Sequence, residues 1–503
     1  MSEPIFQELI DAVKAGEITT RDQLQRRKIQ LCGAHKLVQV PSNSEILACV
    51  NDEDRDLLEP FLIKKPMRTA SGVAVVAVMT SPHPCPHGKC IYCPGGVESG
   101  SPQSYTGKEP AARRGERNGF DPFSQVRDRI EQLTAIGHKT DKIDLIIMGG
   151  TFTSRDMGYQ EWFVRRCLDA MNGFDSEALE DAQRSNETAR HRCIGLTVET
   201  RPDLTDEGIE RFMRLGATRV ELGVQILDDE ILESVGRDHT VQDIRDATQR
   251  CKSHGLKVCY HVMPGLPGSN AHKDLECFER TFSDEGFRPD MLKFYPTLVI
   301  EGTRLHEMWV EGEYVPYDTE TAVDLLSRMK SIVPEYVRIQ RIQRDIPAPE
   351  IAAGILQSNI RQLVAERMGN GCRCIRCREV GHVQGDPRIE DMGIVERAYE
   401  ASDGEEMFIS FESGHALAGY VRLRLDDIAT IRELKVFGKT VAIGEHAEEW
   451  QHKGLGKRLI SIAEERARAN GKTMIRVTSG VGVREYYRSL GYRLERPYMV
   501  KTL

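Results

Sequence analysis

The sequence of 503 residues lacks the features that place a chain in a membrane or outside the cell. No uninterrupted apolar run approaches the roughly 18 residues that a membrane-spanning helix needs. Residues 1–16 include acidic side chains and show no cleavable signal pattern. Internal repeats and a low-complexity tail are also missing. We therefore expect a cytoplasmic protein with no membrane partner.

An excess of positive charge is missing as well. The formal net charge is −9, which argues against indiscriminate binding to nucleic acid. Two local basic patches remain, at residues 21–36 and 108–117. Taken alone, such a patch is more often a solvated surface than a nucleic-acid interface.

The length suggests two or three domains. Residues 1–65 have apolar positions at helical spacing, which predicts a small helical segment. Residues 66–345 alternate short apolar runs with amphipathic stretches, which predicts a parallel sheet with crossover helices. About six such units fit a partial barrel better than a closed eightfold one. Residues 346–390 form a Gly- and Cys-rich linker, and residues 391–503 hold strand-like runs, a helix and a last strand.

Six of the 13 cysteines stand in two short clusters, and such clusters indicate metal more often than disulfides in a chain without a secretion signal. Cys85, Cys90 and Cys93 directly follow the first predicted strand. Three thiolates on one loop can hold three irons of a 4Fe–4S cluster and leave the fourth iron open. Zinc, which usually takes four protein ligands in a structural site, is the alternative that spacing leaves open.

The second cluster consists of Cys372, Cys374 and Cys377 in the linker. Three thiolates on one turn need one more ligand for tetrahedral zinc. His382 is near in sequence, and a distant residue is the alternative. We predict a structural zinc site, with a second iron–sulfur cluster or free thiols as the other interpretations.

A glycine-rich turn at Gly454 and Gly456 opens a helix that we predict over residues 454–469. The amides and dipole at a helix N-terminus suit a pyrophosphate. With residues 451–453 before it, this turn resembles the acetyl-CoA loop of the GNAT acetyltransferases. Tyr486, ahead of Leu-Gly-Tyr at 490–492, resembles their terminal pattern, in which a tyrosine lies near the acyl thioester.

The first cysteine cluster resembles the radical-SAM superfamily, because the aromatic Tyr92 precedes Cys93 after the first strand of the array. The gap after Cys85 is four residues, where the superfamily usually has three. The resemblance implies S-adenosylmethionine on the open iron. Gly149 and Gly150 resemble the superfamily's Gly-Gly motif, although a Gly-Gly after a strand is by itself more often a simple turn.

The two patterns together resemble the family of the catalytic third subunit of Elongator, in its single-chain archaeal or bacterial form. The matching stretches, which run over nearly all of the chain, are residues 65–69, 103–107, 141–142, 197–203, 292–297, 343–347, 378–381 and 479–482. The resemblance implies an α/β fold, a partial (βα)6 radical-SAM barrel fused to a GNAT-type α+β domain. It also implies an enzyme that forms 5-carboxymethyluridine at position 34 of tRNA from acetyl-CoA.

The resemblance further implies which residues bind acetyl-CoA. They are Lys142, Arg432, Glu433, Leu434, Lys435, Gly454, Leu455, Gly456 and Tyr486. Lys142, Glu433 and Tyr486 are expected to be catalytic, with Glu433 ordering a hydrolytic water. The family often has histidine where Lys435 stands and tyrosine where Phe437 stands, so an acid–base role at 435 does not carry over.

For tRNA, the resemblance implies a basic N-terminal segment at Arg26, Arg27 and Lys28. A second group near the radical-SAM entrance, expected to meet anticodon-stem phosphates, is Arg113, Arg114 and Arg117. It also implies zinc on the linker cysteines. The assembly state stays open: the chain is compatible with Elongator-like partner subunits, with no partner subunits, or with a homo-oligomer. The alternative function, a protein lysine acetyltransferase, would leave the first cysteine cluster without a task.

Overall fold

The computed structural model describes residues 3–35, 40–51, 54, 57–58, 61–63, 72–369, 371–383, 387–437 and 454–503. Two stretches noted in the sequence, 65–69 and 451–453, lie outside the described residues. In the part of the chain that is described, no helix is both long and apolar enough to cross a membrane.

The N-terminal segment is helical, as predicted. Its helices are α1 (Glu3–Lys14), α2 (Arg21–Ala34) and α3 (Asn43–Cys49). Thr20 and Ser42 each form a capping box, which satisfies the free amides at the start of α2 and α3. The apolar faces of the helices pack into a small core of their own, separate from the main core.

The barrel half, which follows the N-terminal helices, is an open, all-parallel sheet of seven strands in chain order. The strands are β1 (Ala74–Met79), β2 (Lys142–Met148), β3 (Arg192–Thr200), β4 (Arg219–Gln225), β5 (Lys257–Val262), β6 (Met291–Phe294) and, after a short β7 (Val299–Ile300) outside this sheet, β8 (Arg338–Arg341). The predicted parallel sheet with crossover helices is therefore confirmed, and it has one strand more than the six or so units expected. The seventh, β8, has the polar sequence Arg-Ile-Gln-Arg, which gives no apolar run to detect.

Helices connect these strands on the outside of the sheet. They are α4 (Pro110–Arg117), α5 (Pro122–Ala135), α6 (Met157–Asn172), α7 (Leu179–Asn186), α8 (Asp206–Leu215), α9 (Asp229–Ser234), α10 (Val241–Ser253), α11 (Ala271–Ser283), α12 (Arg304–Val310) and α13 (Thr319–Ser331). Short polar residues start most of them: Thr205, Asp228 and Thr240, for example, accept backbone N–H groups of the first turn.

The linker contains β9 (Ile351–Ala353), which pairs with β7, and the helices α14 (Ile360–Met368) and α15 (Ile375–Arg378). The boundaries at 346 and 390 remain predictions.

The C-terminal half is a second seven-stranded sheet, typical of a GNAT domain. Its elements are β10 (Gly393–Glu400), β11 (Glu405–Ser413), β12 (Ala416–Leu425), β13 (Ala429–Val436), α16 (Leu455–Ala469), β14 (Met474–Val477), α17 (Arg484–Arg488), β15 (Arg493–Glu495) and β16 (Tyr498–Thr502). The parallel strands β13 and β14 pair only from Ala429 to Ile431. Beyond Ile431 the two strands separate, which leaves one edge of β13 free for a ligand.

Buried charges join the two halves. Asp290, just before β6, is fully buried and accepts hydrogen bonds from Arg432 Nη1 and Nη2, the latter at 2.7 Å. Arg422 on β12 lies 3.5 Å from the same carboxylate. Gly480 packs against β3 so closely that a Cβ would lie 2.1 Å from the carbonyl oxygen of Ile194. The C-terminal domain is thus held directly against the parallel sheet.

Candidate active site

The first cysteine cluster lies at the carboxyl ends of the barrel strands. Cys85, Cys90 and Cys93 line one cavity of about 120 Å³, together with Gly150 and Thr151. Cys90 and Cys93 are almost completely buried. Among the described residues, the three thiols are not gathered within 4.8 Å of one another, in contrast to the linker cysteines. Three thiols that line one buried cavity suit a 4Fe–4S cluster held by three cysteines, with its fourth iron open to a ligand.

The surroundings of Cys90 favour a thiolate, the form that binds iron. His87 Nε2 lies 3.2 Å from Cys90 Sγ, and Arg237 Nη1 donates to it at 3.7 Å. A hydrogen bond from Cys93 contributes most to lowering the pKa of Cys90 to about 3, burial opposes that change, and His87 and Arg237 add to it. Arg237 is buried and was not found from the sequence, because it belongs to no recognisable motif.

The two glycines after β2 differ in position. Gly149 has a φ of +132°, and a Cβ there would lie 2.0 Å from Thr80 Oγ1, so it permits close packing against the end of β1. Gly150 has a φ of +96° and lines the cluster cavity, where a Cβ would be 3.9 Å from Cys85 Sγ. Of the predicted pair, Gly150 therefore faces the cavity and Gly149 supports the turn.

Further polar groups line the cluster cavity. Arg201 Nη1 and Gln225 Oε1 are buried and have no hydrogen-bond partner among the described residues. Gln225 also has a φ of +69°, a strained conformation for a non-glycine residue that is common at functional sites. These groups were missed by sequence reasoning, and they suit a polar ligand such as S-adenosylmethionine.

A second and larger cavity, of about 730 Å³, lies between the two domains at the amino ends of the barrel strands. It brings together seven of the nine residues predicted to bind acetyl-CoA. These are Lys142, Glu433, Leu434, Lys435, Gly454, Gly456 and Tyr486. Of the other two, Arg432 forms the buried pair with Asp290 and Leu455 is buried in the main core.

The glycine turn starts helix α16 next to this cavity. Gly454 is left-handed, with a φ of +77°, and the helix begins at the next residue. The first amides of a helix have no intrahelical acceptor, and the helix dipole is positive at this end. A Cβ at Gly456 would lie 2.9 Å from Tyr486 Oη, so glycine leaves room for that tyrosine. Burial raises the pKa of Tyr486, which keeps its hydroxyl protonated.

Glu433 on the free edge of β13 is only 9% exposed. It accepts a hydrogen bond from Arg422 Nε at 2.9 Å. Burial raises the pKa of Glu433, but Lys257, Arg422 and Lys435 outweigh it and lower that pKa to about 2. Glu433 is therefore a stable carboxylate that can orient a water molecule by accepting its hydrogen, and it is a weak base.

The two cavities are the two ends of one barrel lumen. Inward-facing side chains alternate along β4, and the first of them, Arg219, lines the interdomain cavity. Glu221, Gly223 and Gln225 on the same face line the cluster cavity. Arg341 on β8 lines both.

The linker cysteines form a separate group. The thiols of Cys372, Cys374 and Cys377 lie within 4.8 Å of one another, and no His, Asp or Glu of the described residues joins them. His382 lies instead near Glu379, at 3.8 Å, and lines the interdomain cavity. Three convergent thiols fit zinc and leave one ligand position to be filled.

The residues predicted to contact tRNA divide into exposed and buried ones. Arg26, Arg27, Arg113 and Arg117 are exposed, and Arg117 pairs with Asp128 at 3.0 Å. Lys28 is buried and donates to Asn43 Oδ1 at 2.8 Å.

Arg114 is also buried, and it donates to the carbonyl oxygen of Ala77 on β1. Burial lowers the pKa of Arg114 to about 10. The prediction of a phosphate contact therefore does not fit Lys28 or Arg114, whose side chains hold α2 and α4 in place.

Comparison with known proteins agrees with this architecture. Residues 2–70 match the ELP3 N-terminal domain, 81–280 the radical SAM superfamily, 289–370 the radical SAM C-terminal domain and 376–492 the acetyltransferase (GNAT) family. The chain is 50% identical to a tRNA uridine(34) acetyltransferase of Methanocaldococcus jannaschii, over 99% of this chain and 97% of the relative. It is 40% identical to Elongator complex protein 3 of Drosophila melanogaster, over 99% and 96%.

The chain belongs to the Elongator complex protein 3 family. A solved structure of the archaeal Methanocaldococcus infernus Elp3 with an N-terminal deletion superposes with a TM-score of 0.77 at 48% identity, covering 86% of this chain and 100% of that one. Within this family the chain has both the radical SAM and the GNAT domain. A radical SAM domain implies a 4Fe–4S cluster with S-adenosylmethionine, and a GNAT domain implies acetyl-CoA.

Proposed function

We propose that this protein forms 5-carboxymethyluridine at uridine 34 of tRNA, with acetyl-CoA as the donor of the two-carbon unit. One observation supports this proposal most: the cavity with the cysteines and the cavity with the glycine turn are two ends of the same barrel lumen. A relative named tRNA uridine(34) acetyltransferase, 50% identical over 99% of the chain, supports the substrate.

The chemistry explains why both domains are needed. Removal of the acetyl methyl hydrogen as a proton would give an enolate, which attacks electrophilic carbons. C5 of uridine is not such a carbon, because conjugation with the C4 carbonyl makes C6 the electrophilic position, so a bond to C5 calls for a carbon radical instead. When bound, the iron–sulfur cluster and S-adenosylmethionine supply a 5′-deoxyadenosyl radical, which can remove that hydrogen. The protein's part is to bring the acetyl methyl and C5 of uridine to the same place.

Within the cluster cavity, each group has a separate task. Cys85, Cys90 and Cys93 would hold the cluster, and Arg237 donates a hydrogen bond to Cys90 Sγ. Arg201 and Gln225 would bind polar groups of S-adenosylmethionine, since their buried polar atoms lack partners among the described residues.

Within the interdomain cavity, the first amides of α16 would bind the pyrophosphate of CoA. Lys142 would contact its negative phosphates, and Tyr486 would lie near the thioester. Glu433 would orient the water that releases CoA, a task that needs an acceptor more than a strong base.

For tRNA, the exposed Arg26, Arg27 and Arg113 would contact backbone phosphates and so position the anticodon loop. The target base must be splayed out of the single-stranded loop to reach the lumen. A zinc ion on the three linker cysteines would fix the segment between the domains.

The test is anaerobic. The protein, reconstituted with iron and sulfide, receives dithionite, S-adenosylmethionine, acetyl-CoA labelled with ¹³C in its methyl group, and tRNA; nucleosides are then analysed by mass spectrometry. We expect labelled carboxymethyluridine from the wild type and none from Cys90→Ser. Unmodified uridine together with acetylated protein would contradict the proposal and favour a lysine acetyltransferase.

A further inference from the structure

A buried layer of charged side chains separates the two cavities. Lys293 on β6 lines the interdomain cavity, whereas its partner Glu221 on β4 lines the cluster cavity. Lys293 Nζ donates a hydrogen bond to Glu221 Oε2 and lies 3.9 Å from Glu199 Oε1. The wall between the two cavities is therefore a single ion pair thick at this point.

The carboxylates of this layer are firmly held. Glu221 accepts from His261 Nε2 at 2.9 Å and lies 3.5 Å from Arg219 Nε. Glu199 accepts a hydrogen bond from Tyr105 Oη at 2.8 Å. His261 and Tyr105 hold the two acids from the side of the cluster cavity and Arg219 holds Glu221 from the other side, so the position of the Lys293 ammonium is also fixed.

The ammonium has donor capacity left over. A lysine has three N–H donors, and Glu221 and Glu199 account for two directions at Lys293. No further acceptor contacts Lys293 among the described residues. The remaining donor is available to a ligand in the interdomain cavity, which Lys293 lines.

A structural role alone explains this layer poorly. The interior of a barrel is normally filled by branched apolar side chains. Apolar residues of similar volume would stabilise such a core as well as a buried ion pair does, and often better. A buried ammonium between two ligand cavities is more useful for binding than for packing.

We propose that Lys293 is the acyl-binding residue, and that its free N–H donates to the carbonyl oxygen of a two-carbon acyl thioester. The hydrogen bond holds the thioester against the wall of the lumen, with the methyl group directed toward the cluster cavity. This inference rests on the proposed function, because only a reaction that uses both cavities requires the acyl group at this wall.

The binding test compares acetyl-CoA with S-ethyl-CoA, which lacks only the carbonyl oxygen. Dissociation constants are measured by calorimetry on the cluster-containing protein without reductant. For the wild type we expect acetyl-CoA to bind roughly tenfold more tightly, the effect of one hydrogen bond to a charged donor. For Lys293→Met we expect the two ligands to bind equally.

Lys252→Met is the matched control, because Lys252 is also a fully buried lysine near a glutamate, Glu406 at 3.9 Å, and lines neither cavity. It should keep the wild-type preference for acetyl-CoA. If Lys293→Met also keeps that preference, or if the wild type has none, the inference is wrong.

A double variant guards against misfolding. Lys293→Met with Glu221→Leu removes both charges, so it restores packing without restoring the donor. It should fold, with a wild-type circular dichroism spectrum and a cooperative thermal melt, and bind the two CoA derivatives equally. A preference for acetyl-CoA in this variant would overturn the inference. Failure of the proposed function itself would appear differently, as a wild type that makes no modified uridine.

Discussion

The two ends of the barrel lumen are built in different ways. The cluster end is small, about 120 Å³, and the described residues that line it lie between Cys85 and Ile346, outside the C-terminal domain. The interdomain end is about 730 Å³ and is lined by both domains. Closed barrels place their chemistry at the carboxyl ends of the strands, and their amino ends serve stability. Here the barrel is open and a second domain covers its amino end, so both ends become ligand sites.

The difference suits the two ligands. A narrow, buried end excludes water from a reactive radical. A wide end between two domains admits a long molecule such as CoA, with cationic side chains and helix amides for its phosphates. We therefore expect the two ends to bind their ligands independently and to act together only in the reaction. The following predictions test that division.

The largest effect is expected from Cys90→Ser. Loss of one iron ligand should lower S-adenosylmethionine cleavage by roughly a hundredfold or more, since even outer-shell changes at metal sites cost up to that much. Acetyl-CoA affinity should not change, because Cys90 does not line the interdomain cavity. Iron content, 5′-deoxyadenosine release and calorimetry measure the three quantities. If Cys90→Ser also lost acetyl-CoA binding, the two ends of the lumen would not bind their ligands independently.

The second prediction concerns the contact between the domains. Asp290→Asn removes the charge that faces Arg432 and Arg422, and it should lower the free energy of unfolding by about 3 kcal/mol. The pair of Arg117 and Asp128, whose side chains are 60% and 26% exposed, offers the control, since Asp128→Asn should cost about 1 kcal/mol or less. Denaturant titrations measure both. Equal losses would show that the interdomain contact is not specially important.

The stability difference between the wild type and Asp290→Asn should also depend on pH. Burial raises the pKa of Asp290, but Arg432, Lys252 and Arg422 lower it to about 2, from an ordinary value of 3.8. Because the pKa is lower in the folded state, this stabilisation is complete above about pH 4 and is lost as the pH falls toward 2. The difference between wild type and Asp290→Asn should therefore shrink over that range, and a difference that grows would contradict this assignment.

A third, smaller effect is expected at the glycine turn. Gly456→Ala places a methyl group 2.9 Å from Tyr486 Oη, so the tyrosine must move. We expect the KM for acetyl-CoA to rise roughly tenfold, while cleavage of S-adenosylmethionine stays unchanged. Gly33→Ala is the control, because nothing lies within 4 Å of a Cβ there. An unchanged KM would show that Gly456 does not contribute to the acetyl-CoA site.

The smallest effect is expected outside both ends. Replacing Arg26 and Arg27 by alanine should weaken tRNA binding a few-fold. The slope of the logarithm of the binding constant against the logarithm of the salt concentration should become shallower by about two, one for each lost phosphate contact. Acetyl-CoA affinity should stay the same. Lys28→Ala should instead lower the stability of the N-terminal helices, because Lys28 is buried against Asn43. Filter binding at several salt concentrations, with thermal melting, separates the two outcomes.

Much of the fold could be predicted from the sequence, because its signals are local. Apolar runs and flanking turns indicated β1 to β6, and the glycine turn indicated the start of α16 within one residue. The short polar strand β8 gave no such signal, since Arg338–Arg341 owes its place to pairing with β6.

The site was predicted in part. Cysteine spacing and the resemblance to a family indicated residues that the structure brings into two cavities. Lys293 and Glu221 were missed because charged residues inside short strands look like surface positions until both faces are seen to be covered. Lys28 and Arg114 are the opposite case, because they were predicted to be exposed and are buried. A run of basic residues indicates where charge lies in the sequence, whereas the burial of each side chain depends on the elements that pack against it.

The central claim is that one reaction uses both ends of the lumen, and transfer of deuterium tests it most directly. Acetyl-CoA with a trideuterated methyl group is added with tRNA, S-adenosylmethionine and reductant, and the released 5′-deoxyadenosine is weighed by mass spectrometry. Our account predicts that one deuterium atom appears in 5′-deoxyadenosine, in an amount that matches the modified uridine. Deuterium-free 5′-deoxyadenosine beside fully deuterated acetate would show that the two ends work separately, and it would contradict the account.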